Sequence, residues 1–273
     1  MSLSIQTNIA AMDAHRNLVN TSNQLSQSME RLSSGYRINT AADDAAGLAI
    51  SEKLDAQVSG LNQAQQNAQD AVSLVQTADG AMNEVQSMLQ RVRDLAVEYN
   101  NGTLSQSDKA AITNEVSQLC AEISQIASQT KFNGIALLSG GKTITFQVGA
   151  DDGETLSVNA LNLFGSATTD SINSAIFNFS STGSVTLASV DAAIDNVSTA
   201  RSTFGAVQNR LEHTLNNLAA YQENLSASES QIKDVDMASE MVNFTKLQVL
   251  QQAGTAMLAQ ANTSQQSVLR LLQ

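Results

Sequence analysis

The fold of this chain is decided by residues 45–99, which read AAGLAISEKLDAQVSGLNQAQQNAQDAVSLVQTADGAMNEVQSMLQRVRDLAVEY. Apolar and small residues recur there at alternating intervals of four and three, which is the spacing of a coiled-coil seam. The predicted seam is Leu54, Val58, Leu61, Gln65, Ala68, Val72 and Val75, and after a slip of one step at Asp79 and Gly80 it resumes at Met82, Val85, Leu89, Val92, Ala96 and Tyr99. At about 1.5 Å per residue, this stretch predicts a helix about 80 Å long. Because a long helix is stabilised by packing its apolar stripe, it needs partners along its whole length.

The composition permits long helices and argues against several kinds of partner. The chain has 273 residues, no Pro, no Trp and a net charge of −12. Without Pro it lacks the commonest helix breaker, and the negative charge argues against nucleic acid or an anionic membrane as a partner. The single Cys excludes an internal disulfide, and no apolar run reaches the ~18 residues of a membrane span. The first residues lack a secretory signal pattern, so these rules alone predict a soluble protein that does not use the general secretory route.

The two ends of the chain differ in charge from its middle. Residues 1–40 carry three basic and two acidic side chains and residues 237–273 carry two and one, whereas residues 41–236 hold nine basic and 23 acidic ones. Such sparsely charged ends suit burial against other protein. We hypothesise that both ends are largely disordered in the monomer and fold among many copies, as in an open-ended helical filament. The residues alone leave a plain antiparallel bundle equally open.

The N-terminal half predicts two further helices. An apolar stripe over residues 5–32 predicts an amphipathic helix, which Ser33, Ser34 and Gly35 end. Thr40 and Asp43 have the spacing of a capping box and predict the start of the long helix. After a turn at 100–102, Ser105 begins a second striped helix, and the short connection implies an antiparallel helical hairpin.

The C-terminal half predicts a small β-structure followed by two more helices. Residues 131–141 are interpreted as a Gly-punctuated loop, and the alternation near 143–158 predicts a β-hairpin. Residues 160–188 have little periodicity and predict a short surface excursion. Heptads return from about Ala188, and a break at 231–234 leads to the last helix. The predicted fold class is therefore mainly α: a long antiparallel helical rod or coiled-coil bundle with a small β-hairpin region, in which the N- and C-terminal helices are paired.

The chain shows no sequence pattern for catalysis or metal binding. A nucleophile elbow, a zinc-protease helix and a phosphate loop are all missing. His15 and His213 have no ligand partners at metal-binding spacing, so no metal site is predicted. Cys120 follows Val116 by four and precedes Ile123 by three, which favours a small buried hydrophobic residue over a reactive thiol.

Several longer motifs resemble a known family. The N-terminal motifs are SSGYRIN (33–39), AADDAAGLAIS (41–51), QRVRDLAV (90–97), FNG (132–134) and FQVGA (146–150), and the C-terminal motifs are GAVQNRLE (205–212), DVDMA (234–238) and LQQAG (250–254). They are similar, in the same order, to the terminal signatures of bacterial flagellins. The resemblance covers about residues 1–150 and 190–273.

The resemblance implies a structural subunit of the bacterial flagellar filament, without enzymatic activity or cofactor, that self-assembles through its terminal helices for swimming motility. Residues 1–40 plus 237–273 would form the filament core, D0, and residues 41–236 the helical D1 with its hairpin near 143–158. Residues 160–188 would stand where larger members insert outer domains. A hook–filament junction protein of the same architecture is the alternative.

The resemblance also implies partners and a location. They are other copies of the chain, a flagellar export chaperone at 237–273, the hook-junction and cap proteins, and a Toll-like receptor of the host. The location is the extracellular flagellar filament, reached through the flagellar type III apparatus without a cleaved signal, which replaces the expectation from composition.

Specific residues follow from the same resemblance. The receptor face would hold Gln90, Arg91 and Leu95 with Glu115 on the adjoining helix, and Asp94 departs from the Glu usual in the enteric type. The residues of filament-core assembly would be Ile5, Ile9, Met12, Leu18, Leu25, Leu32, Phe244, Leu247, Leu250, Met257, Val268 and Leu271.

Overall fold

The computed structural model describes residues 7–139, 142–159 and 187–271, with side chains described as far as residue 264. Its elements are α1 (Ile9–Ser34), α2 (Ala45–Tyr99), α3 (Gln106–Gln129), β1 (Lys131–Phe132), β2 (Ile135–Ala136), β3 (Thr143–Gln147), β4 (Thr155–Asn159), α4 (Leu187–Lys233) and α5 (Met237–Leu271). The predicted class, mainly α with paired long helices and a small hairpin, is confirmed. Of the predicted surface excursion, residues 160–186 lie outside the described residues.

The chain divides into two compact units. The terminal unit comprises Met1–Ala56 and Asn224–Gln273, and the middle unit comprises Gln57–Glu223. The division falls inside α2 and inside α4.

In the middle unit, the seam of α2 runs without interruption. Its buried positions are Leu61, Ala64, Ala68, Ala71, Val75, Ala78, Met82, Val85, Leu89, Val92 and Ala96. They keep alternating intervals of three and four, so the predicted slip at Asp79 and Gly80 is wrong. The seam passes through alanines that allow the helices to approach closely, and the prediction departs from it at Gln65 and Val72, which neighbour the buried Ala64 and Ala71.

Helices α3 and α4 supply the partners that α2 requires. One core cluster joins Val85 of α2 to Ile123 of α3, Val197 of α4 and Leu156 of β4. A second core cluster, near the end of α2, joins Val92 of α2 to Ile112 of α3 and Val190 of α4. Since later residues of α3 and α4 meet earlier residues of α2, both helices run antiparallel to it, as predicted.

Charged side chains connect α4 to α2 in the same antiparallel order. Arg201 donates to Asp79 over 2.9 Å, to Asn83 over 3.1 Å and to Gln86 over 2.7 Å. Nearer the start of α4, Arg93 and Asp191 form an ion pair of 2.6 Å.

The predicted hairpin near 143–158 is confirmed as the antiparallel pair β3 and β4, in which Phe146 lies opposite Leu156. The side-chain amide of Asn67 donates to the carbonyl of Gln147 over 3.0 Å, which attaches the hairpin to α2.

The interpretation of residues 131–141 as a loop is wrong at its start, where β1 and β2 form a two-residue antiparallel pair. Asn133 (φ 48°) and Gly134 (φ 79°) make the turn with left-handed backbone, which is the Asn-Gly signature of a tight hairpin.

The predicted capping box does not start α2, which begins at Ala45 in the terminal unit. The carboxylate of Asp43 accepts hydrogen bonds of 3.0 Å from the N–H and from the hydroxyl of Thr40. These bonds, the backbone bond first, lower the pKa of Asp43 and close a separate turn. The cap of α2 is instead Asp44, whose carboxylate accepts the N–H of Gly47 over 2.9 Å.

Gly80→Ala is expected to raise the free energy of unfolding by about 0.5–1 kcal/mol, because Ala has less backbone freedom to lose in a helix. A Cβ at Gly80 would meet nothing within 4 Å. Urea unfolding of the monomer, followed by circular dichroism, measures the change. The control is Gly47→Ala, whose Cβ would lie 2.7 Å from the Ile38 side chain and should destabilise. A loss of stability in Gly80→Ala would contradict the prediction.

Candidate functional site

Helix α1 is defined by local signals at both ends. The side chain of Asn8 accepts a hydrogen bond of 3.0 Å from the N–H of Ala11, which satisfies one free donor of the first turn. At the other end Gly35 (φ 78°) donates to the carbonyl of Arg31, as the sequence predicts.

Helices α1 and α5 form an antiparallel pair in the terminal unit. Near the start of α1, the side chain of Asn8 donates to the carbonyl of Ala261 over 3.1 Å. Beyond its end, the N–H of Val235 donates to the carbonyl of Gly35 over 3.0 Å. The hydrogen bonds at the two ends therefore fit a single alignment of α1 against α5.

The segments next to these helices are also held together. Tyr36 and Asp234 form an antiparallel backbone bridge, and the N–H of Arg37 donates to the carbonyl of Lys233 over 2.6 Å. The ammonium of Lys233 lies 4.8 Å from the centre of the Tyr36 ring, within range of a cation–π interaction.

The residues predicted for filament-core assembly divide between two environments. Leu247 is buried, and Leu18, Leu25, Leu32 and Phe244 are half-buried. Ile9, Met12, Leu250 and Met257 are instead 46% to 64% exposed. Ile5 lies outside the described residues, as do the side chains of Val268 and Leu271. Pairing the helices therefore covers only part of the predicted set.

Further apolar side chains are exposed on the same two helices. They are Val19 and Met29 on α1 and Met237, Met241, Val242 and Val249 on α5. Val242 and Val249, which are 69% and 64% exposed, lie outside the set of α5 residues predicted for filament-core assembly. The sequence could have indicated them, because they are apolar residues outside the predicted set in a helix that carries few charges.

Helix α5 is thus apolar on several faces. Among the described side chains, Ser28 is the buried residue of α1 and Leu247 the buried residue of α5. A helix that is apolar on all sides is normally surrounded by other protein. The pair leaves these exposed apolar side chains available for contacts that the single chain does not supply.

The residues predicted for the receptor face lie in the middle unit. The Arg91 guanidinium donates to one carboxylate oxygen of Glu115 over 2.9 and 2.7 Å. Both side chains are about half exposed, at 54% and 45%, and this hydrogen bond raises the pKa of Arg91. Gln90 is exposed, whereas Leu95 is 2% exposed and packs in the second core cluster. The structure brings Gln90, Arg91 and Glu115 to the surface and buries Leu95.

Cys120 lies half-buried in α3, against both core clusters of the middle unit. This agrees with the interpretation of a small packed side chain. Burial raises the pKa of the Cys120 thiol to about 11, so the reactive thiolate is rare at neutral pH.

At pH 9, alkylation of Cys120 is expected to be at least about tenfold slower in the native protein than in urea, because an unfolded thiol ionises near pH 8.5. The raised pKa contributes stability that is present below about pH 8.5 and lost as the pH approaches 11. Iodoacetamide labelling, quantified by mass spectrometry, measures both rates. Equal rates would contradict the burial of this thiol.

Within the described part of the chain, no group of three His, Cys, Asp or Glu side chains could hold a metal ion. None of the helices, as far as they are described, combines the length and the apolar content needed to cross a membrane.

Comparison with known families gives matches at both ends of the chain. Residues 5–143 match the bacterial flagellin N-terminal helical region, and residues 187–272 match the bacterial flagellin C-terminal helical region.

Relatives match over nearly the whole length. A flagellin of Halalkalibacterium halodurans is 48% identical, over 98% of this chain and 99% of the relative. The flagellar filament 33 kDa core protein of Treponema phagedenis is 44% identical over the same shares. A solved structure assigned to a flagellar hook-associated protein of Vibrio parahaemolyticus has a TM-score of 0.58 and 17% identity, over 70% of this chain and 100% of that one. This last likeness shows the fold alone.

The matched regions span both paired terminal helices and most of the middle unit, and the relatives extend over the rest. The chain belongs to the bacterial flagellin family, whose members are structural subunits of the flagellar filament.

Proposed function

We propose that this chain builds a filament for swimming motility by burying the exposed apolar faces of α1 and α5 against those of neighbouring copies. The observation that carries the proposal is the exposure of side chains such as Ile9, Met12, Val249 and Met257, each 63% or 64% exposed. Removing such surface from water contributes about 25 cal/mol per Å². Because the contacts join different faces of successive copies, they extend into an open helical assembly rather than a closed ring.

In this proposal, residues 1–40 with 237–273 form the filament core, D0, and residues 41–236 form the surrounding D1. Near-neutral ends suit the core because identical copies meet there without strong mutual repulsion, whereas the acidic middle remains in contact with water. The predicted boundary at residues 40 and 237 remains a proposal.

The partners before assembly follow from the same apolar surface. An export chaperone that covers residues 237–273 would prevent premature association through Met241, Val249 and Leu250. After passage through the flagellar type III apparatus, the hook-junction and cap proteins would offer the first matching surfaces outside the cell. As a member of a structural family, the chain is proposed to have no enzymatic activity.

Seeded growth tests the proposal. Purified protein is added to short filament fragments, and their lengths are followed by electron microscopy. The proposal predicts continuous elongation by a filament of uniform diameter. A hook–filament junction protein, the alternative disfavoured by the full-length relatives, would add a short ring and stop. Seeds that do not lengthen at any protein concentration would contradict the proposed function.

A second proposed function is recognition by a Toll-like receptor of the host. It is favoured by the exposed pair of Arg91 and Glu115, which presents a planar guanidinium and an acidic oxygen together. Gln90 lies beside it in sequence and is also exposed. Leu95, which is buried, would support this surface from below rather than touch the receptor.

Arg91→Ala is expected to lower receptor activation by at least about tenfold, as is usual for a central interface Arg. Dose–response curves with monomeric protein in reporter cells measure the effect. The matched control is Arg93→Ala, which removes another exposed Arg paired with a carboxylate of α4. Equal curves for the two variants would contradict a specific role of Arg91.

A further inference from the structure

Two polar side chains meet inside the pair of terminal helices. Ser28 is 2% exposed, although it is polar, and its hydroxyl donates to a carboxylate oxygen of Glu240. Glu240 is half-buried in the first turn of α5, where the N–H groups of the helix favour a negative charge.

A second contact farther along the pair constrains the same two helices. Gly254 of α5 lies beneath Leu18 of α1, and a Cβ at Gly254 would be 3.2 Å from Leu18 Cδ1. Because this distance is short for a contact of a Cβ, glycine fits position 254 better than a residue with a side chain.

The apolar stripes alone do not define how the helices pair. A coiled-coil stripe repeats every seven residues, so one helix can slide along the other by about 10 Å and still offer apolar side chains. The contacts of Ser28 with Glu240 and of Leu18 with Gly254 occur once and do not recur every seven residues, so they distinguish one alignment from the others.

Sliding in one direction separates the polar pair. Ser28 would then lie opposite Leu247, and Glu240 would lie opposite Gly35, beyond the end of α1. The hydroxyl would lose its carboxylate partner inside the apolar interface, which is unfavourable for a buried polar group.

Sliding in the other direction is disfavoured at both contacts. Glu240 would lie opposite Thr21, whose hydroxyl already donates to the α1 backbone over 2.9 Å. Leu18 would meet Leu247, so two large side chains would occupy the space that Gly254 now leaves to one.

We propose that the hydrogen bond between Ser28 and Glu240, together with the space at Gly254, selects from within the interface the register in which the terminal helices pair, the same register that the end contacts of Asn8 and Gly35 hold. The inference rests on the proposed function, because a filament requires every copy to present its outer apolar faces at the same height. A subunit paired one heptad out of register would offer those faces about 10 Å away from where its neighbours need them.

Disulfide trapping tests the register in a full-length Cys120→Ala chain. The native reporter is Thr21→Cys with Gln251→Cys, since both positions are half-buried and lie between the two contacts. The reporters of the slid registers are Ala14→Cys with Gln251→Cys and Thr21→Cys with Leu258→Cys. Each reporter is oxidised in the filament and in the monomer.

In the parent, the native reporter is expected to cross-link at least about tenfold more than either slid reporter. Ser28→Ala with Glu240→Leu should lower this ratio about tenfold, because no buried polar side chain between the two helices then depends on the register. Glu240→Gln, which keeps an acceptor, should retain the ratio. Ser26→Ala, the same substitution at an exposed position of α1, should also retain it.

An unchanged ratio in the Ser28→Ala, Glu240→Leu variant would overturn the proposal, and so would a parent in which the slid reporters cross-link equally well. Failure of the parent to elongate seeds would count against the proposed function instead. In that case, or if a variant does not assemble, the ratios in the monomer decide the register, because disulfide trapping also captures pairings that weakly stable helices form only transiently.

Discussion

Met257→Asp is expected to stop seeded filament growth at concentrations where the parent grows, while leaving the folded monomer unchanged. Met257 is 64% exposed in the single chain, so a carboxylate there stays in water. In the proposed filament the same position is covered by apolar surface, where an unpaired carboxylate is strongly unfavourable. Every added copy repeats the penalty, so the protein concentration needed for growth should rise at least about a hundredfold.

Electron microscopy of seeded reactions over a range of concentrations measures this threshold, and circular dichroism verifies the monomer. The matched control is Met257→Leu, which keeps an apolar side chain of similar size and should elongate seeds normally. Growth of Met257→Asp at the parent's threshold would show that this face of α5 is not buried on assembly.

Leu211→Ala is expected to lower the free energy of unfolding of the monomer by about 2–5 kcal/mol. Leu211 is fully buried in the first core cluster, where α4 packs on α2 in the middle unit. Removing its side-chain methyl groups leaves a cavity that the surrounding helices fill only partly.

Urea unfolding measures the change, and Leu250→Ala is the matched control. Leu250 is 46% exposed in α5, so the same substitution there should cost less than about 1 kcal/mol in the monomer. In the filament the control should matter more, because the proposed assembly covers Leu250. Equal losses of unfolding free energy in the two monomers would contradict the account in which Leu211 belongs to the core of the single chain and Leu250 to a surface that other copies cover.

The long helices could be predicted because their signals are repeated many times along the chain. One wrong position in a heptad changes little when many others agree. The error at Asp79 and Gly80 has a physical cause: the prediction followed the longer side chains of Gln65 and Val72, but close packing of α2 places the small Ala64 and Ala71 at the buried positions.

Short elements depended on single side chains and were predicted less well. The capping-box spacing of Thr40 and Asp43 was correct as a local hydrogen-bonding pattern, but Asp44 competed successfully for the cap of α2. The hairpin at Asn133 and Gly134 has only two residues in each strand, too few for an alternating pattern to appear.

The surfaces were the least predictable part. Spacing identified the half-buried stripe of the terminal helices, but the sequence could not separate side chains that face the partner helix from those that face outward. Leu250 and Met257 belong to the set predicted for filament-core assembly and are exposed in the single chain, whereas Leu247 of the same set is buried. The contact of Ser28 with Glu240 joins residues 212 positions apart, so no local sequence pattern predicts it.

The central claim is that the terminal helices become stable only among copies of the same chain, because the pair has too little core of its own. Hydrogen exchange of backbone amides, compared between monomer and filament, tests it most directly. We predict weak protection of α1 and α5 in the monomer, strong protection of both in the filament, and strong protection around Val85 and Leu89 in either state. Strong protection of residues 9–34 and 237–264 in the monomer would contradict the claim.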